Sequence, residues 1–238
     1  RSTLFPDTTL FRSGMGQLVH DGGLRAPGEH RGEIHLLERD AAVLDPAPRH
    51  DLEVPDARLG LDPAEAGTVE VAGRRVNPKN PRQAVAAGVA LIPEDRQING
   101  LALKLPIAHN ITMPDLGRVS SMGILNKSAE MALASDYRER LRIRCSSTRQ
   151  LAGRLSGGNQ QKIVIAKWVA RGARVFLFDE PTRGIDVAAK QEVFEEMDRL
   201  ARGGAAILMV SSELPELIQV ADRVLVMSAR PGRIVAEI

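Results

Sequence analysis

Two short stretches carry residue types that could handle a phosphate group and a metal ion. The first is Ser156-Gly157-Gly158 within LSGGNQQK, at the start of an apolar helical pattern. A serine and two glycines at a helix start leave backbone N–H groups unobstructed, and the helix dipole favours an anion there. The second is Asp179-Glu180, which ends the apolar run VFLF. Two carboxylates after a buried strand suit a metal ion and a base that activates water.

Neither stretch identifies a site alone. A glycine-rich turn before a helix and an acidic pair after a strand both occur in α/β proteins without a catalytic role. Their order along the chain changes this interpretation, because only one predicted helix and one short strand separate Ser156 from Asp179. A phosphate-binding helix start and a strand-end carboxylate pair at this spacing indicate a site for a phosphorylated ligand.

The elements that must position these residues alternate between helix and strand. Periodicity predicts helices over 157–170, 187–202 and 214–220, and strands over 174–178, 205–210, 223–227 and 233–238. This alternation predicts an α/β fold with a largely parallel sheet covered on both faces. Since ligands of such sheets bind beyond the carboxyl ends of the strands, Asp179, Glu180 and Ser212 are expected to face one crevice.

The segment before the glycine-rich stretch has a different pattern. It predicts a strand with a glycine turn over 67–76, a short helix over 82–88 and a buried strand over 89–92. Helical patterns follow over 107–116 and 127–142, the second with Met131, Ala134, Tyr137 and Leu141 near one stripe. We therefore expect a small helical subdomain over about residues 97–150.

The composition excludes several classes of protein. The 238 residues are 43% hydrophobic and 26% charged, as in ordinary soluble globular proteins. A net charge of +2 is too small to indicate nucleic acid as a partner. The single cysteine, Cys145, excludes an internal disulfide. No apolar run approaches the roughly 18 to 20 residues that cross a bilayer, so any membrane link is expected to run through a partner.

The amino-terminal quarter of the sequence predicts little folded structure. Residues 1–13 resemble translated adapter sequence, with a short natural tail as the alternative, and are expected to lie outside the fold. Residues 14–59 sustain no helical or strand period, which predicts a poorly structured segment or translation in a shifted frame. Four of the five histidines lie there without the spacing of metal ligands: His20, His30, His35 and His50.

LSGG followed by DEPT resembles the ATP-binding-cassette ATPases, whose signature is LSGG and whose Walker B element ends in DEPT. The resemblance implies a P-loop NTPase-like sheet over residues 60–238, with ATP and Mg²⁺ as cofactors. It implies that Asp179 holds the metal and that Glu180 polarises the attacking water. The residues implied to bind nucleotide are Ser156, Gly157, Gly158, Gln160, Glu94 and Asp186.

Three further motifs resemble cassette elements, and two of them differ from the common pattern at one residue. Asp186 lies in TRGID, which looks like the D-loop. Glu94 lies in PEDR, at the position where most cassettes carry the Q-loop glutamine. Ser212 stands where most cassettes have the switch histidine, and the resemblance therefore implies a catalytic role for Ser212. Together with NGL, LSGGNQQK and SSELPE, these motifs resemble the second cassette of the tandem ATPases of ribose, galactose and xylose importers. The glutamate of FDEPT favours sugar over nucleoside importers.

The resemblance implies coupling of ATP hydrolysis to monosaccharide uptake at the cytoplasmic face of the inner membrane. The implied partners are a second cassette, membrane permease subunits and, indirectly, a periplasmic sugar-binding protein. Cassette proteins of translation or DNA repair are disfavoured, because they lack the PEDR and SSELPE pairing. The other alternative is a non-hydrolysing cassette remnant that only pairs with a cassette or permease.

One expected part does not occur: the sequence contains no GxxxxGK[ST] phosphate loop. Gly32–Ile34 (GEI) resembles its lead-in, and we hypothesise that a frame disruption replaced the loop; the encoding DNA, read in the other frames, tests this. Without the loop lysine, the phosphates lose their main donors, so the isolated chain is expected to be inactive. Ser156, Gly157 and Gly158 are then expected to serve a nucleotide held by the partner cassette.

Overall fold

A computed structural model describes residues 8–12, 43–44, 69–227 and 234–238 of the chain. The predictions for the four amino-terminal histidines and for the lead-in at 32–34 lie outside these residues. The chain forms two compact units. The first comprises Arg1–Leu91, Arg174–Leu177 and Asp198–Ile238, and the second comprises Ile92–Ala173 and Phe178–Met197. The predicted helical subdomain, residues 97–150, falls within the range of the second unit and stays a prediction.

The described elements follow the alternation that the sequence predicts. The strands are β1 (Thr8–Arg12), β2 (Val43–Leu44), β3 (Val69–Val71), β4 (Arg74–Val76), β5 (Val89–Ile92), β6 (Ser120–Ser121), β7 (Ile124–Leu125), β8 (Val175–Asp179), β9 (Ala206–Ser211), β10 (Arg223–Met227) and β11 (Ile234–Glu237). The helices are α1 (Pro81–Ala86), α2 (Ile107–Thr112), α3 (Lys127–Arg140), α4 (Gly157–Arg171), α5 (Val187–Arg202) and α6 (Leu214–Val220).

A six-stranded sheet in the order β11-β10-β1-β9-β8-β5 forms the centre of the first unit. The connection from β8 to β9 runs through α5, the kind of crossover that joins parallel strands. β1 pairs antiparallel with both β9 and β10, and β11 pairs antiparallel with β10. The predicted α/β fold is confirmed, and β1 and β11 are the two strands of this sheet that run against β9 and β10.

β1 comes from the segment that was expected to lie outside the fold. Thr8–Arg12 lies between β9 and β10, with Thr8 opposite Ser211 on one side and Val226 on the other. Two neighbouring strand edges present unpaired N–H and C=O groups, and an extended segment of any origin that reaches them can satisfy both. The adapter-like origin of residues 1–13 stays a prediction, but the structure pairs five of them within the sheet.

The core of this unit is aliphatic. Val175 and Leu177 of β8 pack with Leu208 of β9 in a buried cluster that also includes Val69 and Val71 of the hairpin β3–β4. Residues 175–178 of β8 are all buried, and their unbroken apolar run is typical of a strand covered on both faces. The turn of the hairpin places Ala72 and Gly73 at positive φ, as the predicted glycine turn requires.

The second unit is built around α4. Ile163, Val164, Ile165 and Ala166 are fully buried there, and α2 packs against both α3 and α4. α2 ends at Thr112 instead of near residue 116, because Pro114 has no N–H to continue the helix, and a 3₁₀ turn over Met113–Val119 follows. Within the described ranges, no helix combines the length and hydrophobicity that a bilayer crossing requires.

Candidate functional site

The start of α4 is exposed at Ser156 and buried at Gly158. Ser156 is the N-cap residue, as predicted, with φ −63° and ψ 157°. Its hydroxyl caps no backbone N–H and instead accepts a hydrogen bond from the Asn159 amide, with 2.9 Å between Nδ2 and Oγ. The first-turn N–H groups of α4 therefore have no side-chain cap at this position, which is the condition under which a helix start can bind an anion.

The two glycines lie in close contact with other segments of the chain, so packing bears on them as well as N–H exposure. A Cβ built on Gly157 would lie 2.5 Å from Arg96 Nη2 and 3.3 Å from the Gly184 carbonyl oxygen. A Cβ built on Gly158 would lie 2.4 Å from Ala189 Cβ. The helix start thus sits directly against the turn and helix that follow β8. Sequence reasoning attributed both glycines to phosphate access and missed this second constraint.

Gln160 lies one turn into α4 and is buried. Its Nε2 donates to the carbonyl of Leu155 at 3.2 Å, and its Oε1 accepts from Gln97 Nε2 at 3.1 Å. These contacts turn the amide into the chain, because both of its ends are already hydrogen-bonded there. The expectation that Gln160 contacts nucleotide directly therefore gains no support from its position; its observed contacts hold the loop at Gln97 against the residues that precede Ser156.

Lys162 continues the same motif and is almost completely buried. Its ammonium pairs with Glu192 of α5, at 2.8 Å between Nζ and Oε2, while Arg144 Nη2 lies 2.7 Å from the other carboxylate oxygen. The hydrogen bond from Lys162 lowers the pKa of Glu192; burial opposes this shift, the charges of Lys162 and Arg144 reinforce it, and Asp186 opposes it. This ion pair joins α4 to α5 behind the helix start.

Asp179 and Glu180 are both half-buried at the end of β8. Glu180 has φ +43°, in the left-handed region that a side chain other than glycine rarely adopts. Its carbonyl accepts from the Arg183 N–H at 3.1 Å, and Pro181 and Thr182 are buried beside it. A strained backbone at a predicted catalytic glutamate persists only where the surrounding structure holds it, and such outliers cluster at functional sites.

Asp186 is exposed and begins α5. Its Oδ1 accepts from the Ala189 N–H at 3.0 Å, the hydrogen bond of an N-cap residue. Sequence reasoning gave Asp186 a role at the nucleotide. The structure shows a local role for the carboxylate, which fixes where α5 begins, and the nucleotide role stays a prediction.

Glu94 lies in the loop after β5 and forms an ion pair with Arg183. Asp95 caps the following turn by accepting from the N–H groups of Gln97 and Ile98. The Arg96 guanidinium donates to the carbonyl oxygen of Arg183 at 2.9 Å. Burial lowers the pKa of Arg96, and the neighbouring Asp95 opposes that shift. Asp95 and Arg96 thus both hydrogen-bond to backbone groups of the chain.

Comparison with known proteins gives this arrangement a family. The profile described as ABC transporter matches residues 57–183, which include the helix start, the strand-end carboxylates and the loop at Glu94. The chain belongs to the ABC transporter family. Its sequence is 47% identical over 186 residues to the ribose import ATP-binding protein RbsA of Jannaschia sp. (strain CCS1), covering 78% of this chain and 36% of the relative.

Other relatives of this ABC transporter protein carry similar names. The putative ribose/galactose/methyl galactoside import ATP-binding protein 1 of Burkholderia ambifaria is 46% identical over 186 residues, 77% of this chain and 36% of the relative. RbsA of Geobacillus kaustophilus is 44% identical over 174 residues, 73% and 35%. The chain therefore spans about a third of the length of these relatives.

Solved structures confirm the cassette fold. A nucleotide-free ATP-binding cassette from an ABC transporter superposes with a TM-score of 0.63 at 19% identity, covering 76% of this chain and 73% of that one. The ADP conformation of another ABC transporter cassette gives 0.62 at 18% identity, covering 77% and 73%. The predicted mixed α/β cassette with a parallel sheet is confirmed at this level.

The predicted site residues of this ABC transporter family member fall into both units. Ser156, Gly157, Gly158, Gln160, Glu94, Asp186, Asp179 and Glu180 all belong to the second unit. Ser212 belongs to the first, where it is exposed just beyond the end of β9. The neighbouring Ser211 hydroxyl is buried and accepts from the Glu213 N–H at 3.1 Å. A single crevice shared by the strand ends stays a prediction.

The residues at the start of α4 fit part of an ATP molecule. An exposed serine and uncapped first-turn N–H groups are donors for phosphate oxygens. The sequence contains no GxxxxGK[ST] motif, the loop that in P-loop NTPases supplies donors to the β- and γ-phosphates. Across the described ranges no three His, Cys, Asp or Glu side chains cluster as metal ligands, and Mg²⁺ at Asp179 stays a prediction.

Proposed function

We propose that this chain is the second ATP-binding cassette of a ribose-type monosaccharide importer. Its relatives are named as ribose or galactose import ATP-binding proteins, and the motifs PEDR, LSGGNQQK and SSELPE favour the second of two cassettes. In this role the chain would couple ATP hydrolysis to sugar uptake at the cytoplasmic face of the inner membrane. Its partners would be another cassette, membrane permease subunits and, through them, a sugar-binding protein.

The observation that carries the proposal is the start of α4. Ser156 is exposed, its hydroxyl caps no backbone group, and the glycines beside it keep a Cβ away from the helix end. These donors would receive the phosphate of an ATP molecule that the other cassette holds, since this sequence has no phosphate loop. Gln160 would act indirectly, through its hydrogen bonds to the residues that precede the helix.

The remaining site residues would act on the nucleotide bound at this chain's own sheet in a form of the protein that has the loop. Asp179 would hold Mg²⁺ together with phosphate oxygens, because Mg²⁺ is usually bound by one or two carboxylates plus phosphates. Glu180 would orient and polarise the attacking water. Ser212 and Glu94 would lie beside the reacting phosphate, and Asp186 would contact the nucleotide at the interface with the partner cassette.

A complex with a loop-containing cassette tests the trans role. The purified chain is mixed with the first cassette of a ribose import relative whose Walker B glutamate is replaced by glutamine, so that bound ATP persists. Analytical ultracentrifugation should detect a complex with MgATP and none with MgADP. Ser156→Arg should abolish the complex, whereas Ser121→Arg, at an exposed serine of the same unit, should not. A complex that forms without nucleotide, or that tolerates Ser156→Arg, contradicts the proposal.

Phosphate release separates the hydrolysing cassette from the alternative, a remnant that only pairs. The isolated chain should release no phosphate above its Glu180→Gln variant, because the loop lysine is missing. A restored gene with a phosphate loop should hydrolyse ATP, and Glu180→Gln should abolish turnover at that site. If the restored protein binds ATP but its turnover is unaffected by Glu180→Gln, the catalytic role of Glu180 is wrong.

A further inference from the structure

One guanidinium in the second unit contacts three separate segments of the chain. Arg96 lies in the loop after β5, and its Nη1 donates to the Arg183 carbonyl at 2.9 Å. Its Nη2 donates to the Gly184 carbonyl at 3.3 Å. The same Nη2 occupies the space in front of Gly157, where an added Cβ would lie 2.5 Å from it. The loop, the turn after Glu180 and the start of α4 therefore meet at this side chain.

Arg96 provides the more directional of two links between the loop after β5 and the turn 182–186. The other link is the ion pair of Glu94 with Arg183, whose side chains are 41% and 68% exposed. An ion pair so open to water stabilises little. Arg96 instead donates charge-assisted hydrogen bonds to two successive carbonyls, which fixes the direction of the turn as well as its distance.

The partly buried environment of the Arg96 side chain favours a positioning role over that of a charge on the surface. Its Nε is buried and has no hydrogen-bond partner within the protein. Burying part of a guanidinium opposes folding, and burial also lowers its pKa. The planar fork of a guanidinium can donate to two adjacent carbonyls at once, as Nη1 and Nη2 do here. A lysine at this position would reach one carbonyl and leave the second without its donor.

We propose that Arg96 is a positioning residue that holds the turn 182–186 against the start of α4 at Ser156–Gly158. Its importance for ATP rests on the proposed function, because the turn carries Asp186 and the helix start carries the phosphate donors. Arg96 would fix the spacing between them before any nucleotide arrives. The sequence separations of 87 and 88 residues between Arg96 and its carbonyl partners explain why no local pattern shows the contact.

Amide hydrogen exchange of the full chain tests the positioning without nucleotide. Arg96→Ala should speed exchange in residues 182–186 about tenfold, as two hydrogen bonds to a charged group are lost, and should leave α3 unchanged. Arg96→Lys should restore part of the protection. Millimolar guanidinium ion, but not sodium ion, should restore protection to Arg96→Ala by refilling the site. Arg149→Ala, at an exposed arginine of the same unit, is the control. Unchanged exchange in residues 182–186 of Arg96→Ala overturns the proposal.

A second measurement uses the contact with Gly157. Gly157→Ala should displace the Arg96 guanidinium from its two carbonyl partners, because the added methyl group would lie 2.5 Å from Nη2, and should therefore destabilise the chain about as much as Arg96→Ala does. In the Arg96→Ala background the same substitution should be far better tolerated, since the obstructing group is gone. Effects of the two substitutions on the urea midpoint that simply add would show that Arg96 does not occupy this space and would contradict the proposal.

The complex with a loop-containing cassette separates this inference from the proposed function. Arg96→Ala should weaken MgATP-dependent complex formation about tenfold, the effect of losing the two carbonyl hydrogen bonds, and Arg96→Lys should recover part of it. A complex that Ser156→Arg abolishes but Arg96→Ala leaves intact overturns the role of Arg96. A complex insensitive to both substitutions overturns the proposed function, while the exchange result for Arg96 still stands.

Discussion

Lys162 of α4 and Glu192 of α5 form an ion pair at 2.8 Å, although only 4% of the Lys162 side chain is exposed. Glu192 is the more exposed partner, at 33%, and also contacts Arg144. Removing Glu192 therefore leaves a buried ammonium, whereas removing Lys162 leaves a carboxylate that still has water and a guanidinium. We expect Glu192→Ala to lower the free energy of unfolding by about 3 kcal/mol, and Lys162→Met to lower it less.

Urea denaturation of both variants checks this asymmetry. Asp136→Ala is the matched control, because the pair of Asp136 with Arg140 lies on the exposed surface of α3, where both side chains are more than half exposed. Its unfolding free energy should change by no more than about 0.5 kcal/mol. Equal losses of unfolding free energy for Glu192→Ala and Asp136→Ala would show that the buried pair stabilises the chain no more than the exposed pair does.

Lys167 should give the chain a stability that rises at alkaline pH. Burial lowers the pKa of Lys167 from 10.5 to about 8, while its Nζ donates to the Gly100 carbonyl. Between pH 8 and 10.5 the unfolded chain therefore binds more protons at this residue than the folded chain, so raising the pH favours folding. The gain is on the order of 3 kcal/mol and is complete once the unfolded lysine has also lost its proton.

The measurement compares urea midpoints of the wild type and Lys167→Met at pH 7.5, 9 and 10.5. The difference between them should shift in favour of the wild type as the pH rises. Lys104→Met, at an exposed lysine, corrects for the general effect of alkaline pH. A difference that is constant over this range would mean that Lys167 keeps an ordinary pKa in the folded chain.

At position 180 a glycine variant should be more stable than an alanine variant, the reverse of the usual order of stability in folded elements. Its φ of +43° strains any residue with a Cβ by about 1 kcal/mol, and glycine alone adopts this region freely. Glu180→Gly should therefore be more stable than Glu180→Ala by about 1 kcal/mol in urea denaturation. At the exposed helical position Ala188 the order should be the normal one, with Ala188→Gly less stable than the wild type.

Asp186 permits its cap to be separated from its predicted contact with the partner's nucleotide. Asp186→Ala should lower the unfolding free energy by about 1 kcal/mol through loss of the bond to the Ala189 N–H, whereas Asp186→Ser should keep most of the stability. If Asp186 also contacts the partner cassette, both variants should weaken the MgATP-dependent complex. Full complex formation by Asp186→Ser would restrict Asp186 to capping α5.

Sequence reasoning succeeded where one period ran uninterrupted. α5, α6 and β10 begin and end where the pattern predicts, because each has a clear apolar face or a buried run bounded by turn residues. It failed at α2, where the apolar pattern continues past Pro114 but the hydrogen bonding cannot. It also failed at β1, because pairing along a sheet depends on which edges the rest of the chain leaves open.

The site shows the same division. Asp179, Glu180 and the helix start were predicted, since their chemistry is local and carried by adjacent residues. The role of Arg96 was not predictable, because its partners are carbonyl oxygens, which every residue has. The burial of Gln160 and Lys162 likewise depends on how α4 packs against α5 and on the loop after β5. A sequence motif that identifies a family does not by itself reveal which of its residues contact the ligand.

Gly158 and Ala189 share a single volume, since a Cβ on the glycine would lie 2.4 Å from the alanine methyl group. That space holds one methyl group, and either residue can supply it. The two positions are therefore coupled: Gly158→Ala should be strongly destabilising alone and much better tolerated beside Ala189→Gly, as urea denaturation of the single and double variants can show. Ala189→Gly alone only empties the space, so the order of the two substitutions matters: the helix after β8 must lose its methyl group before the signature helix can gain one.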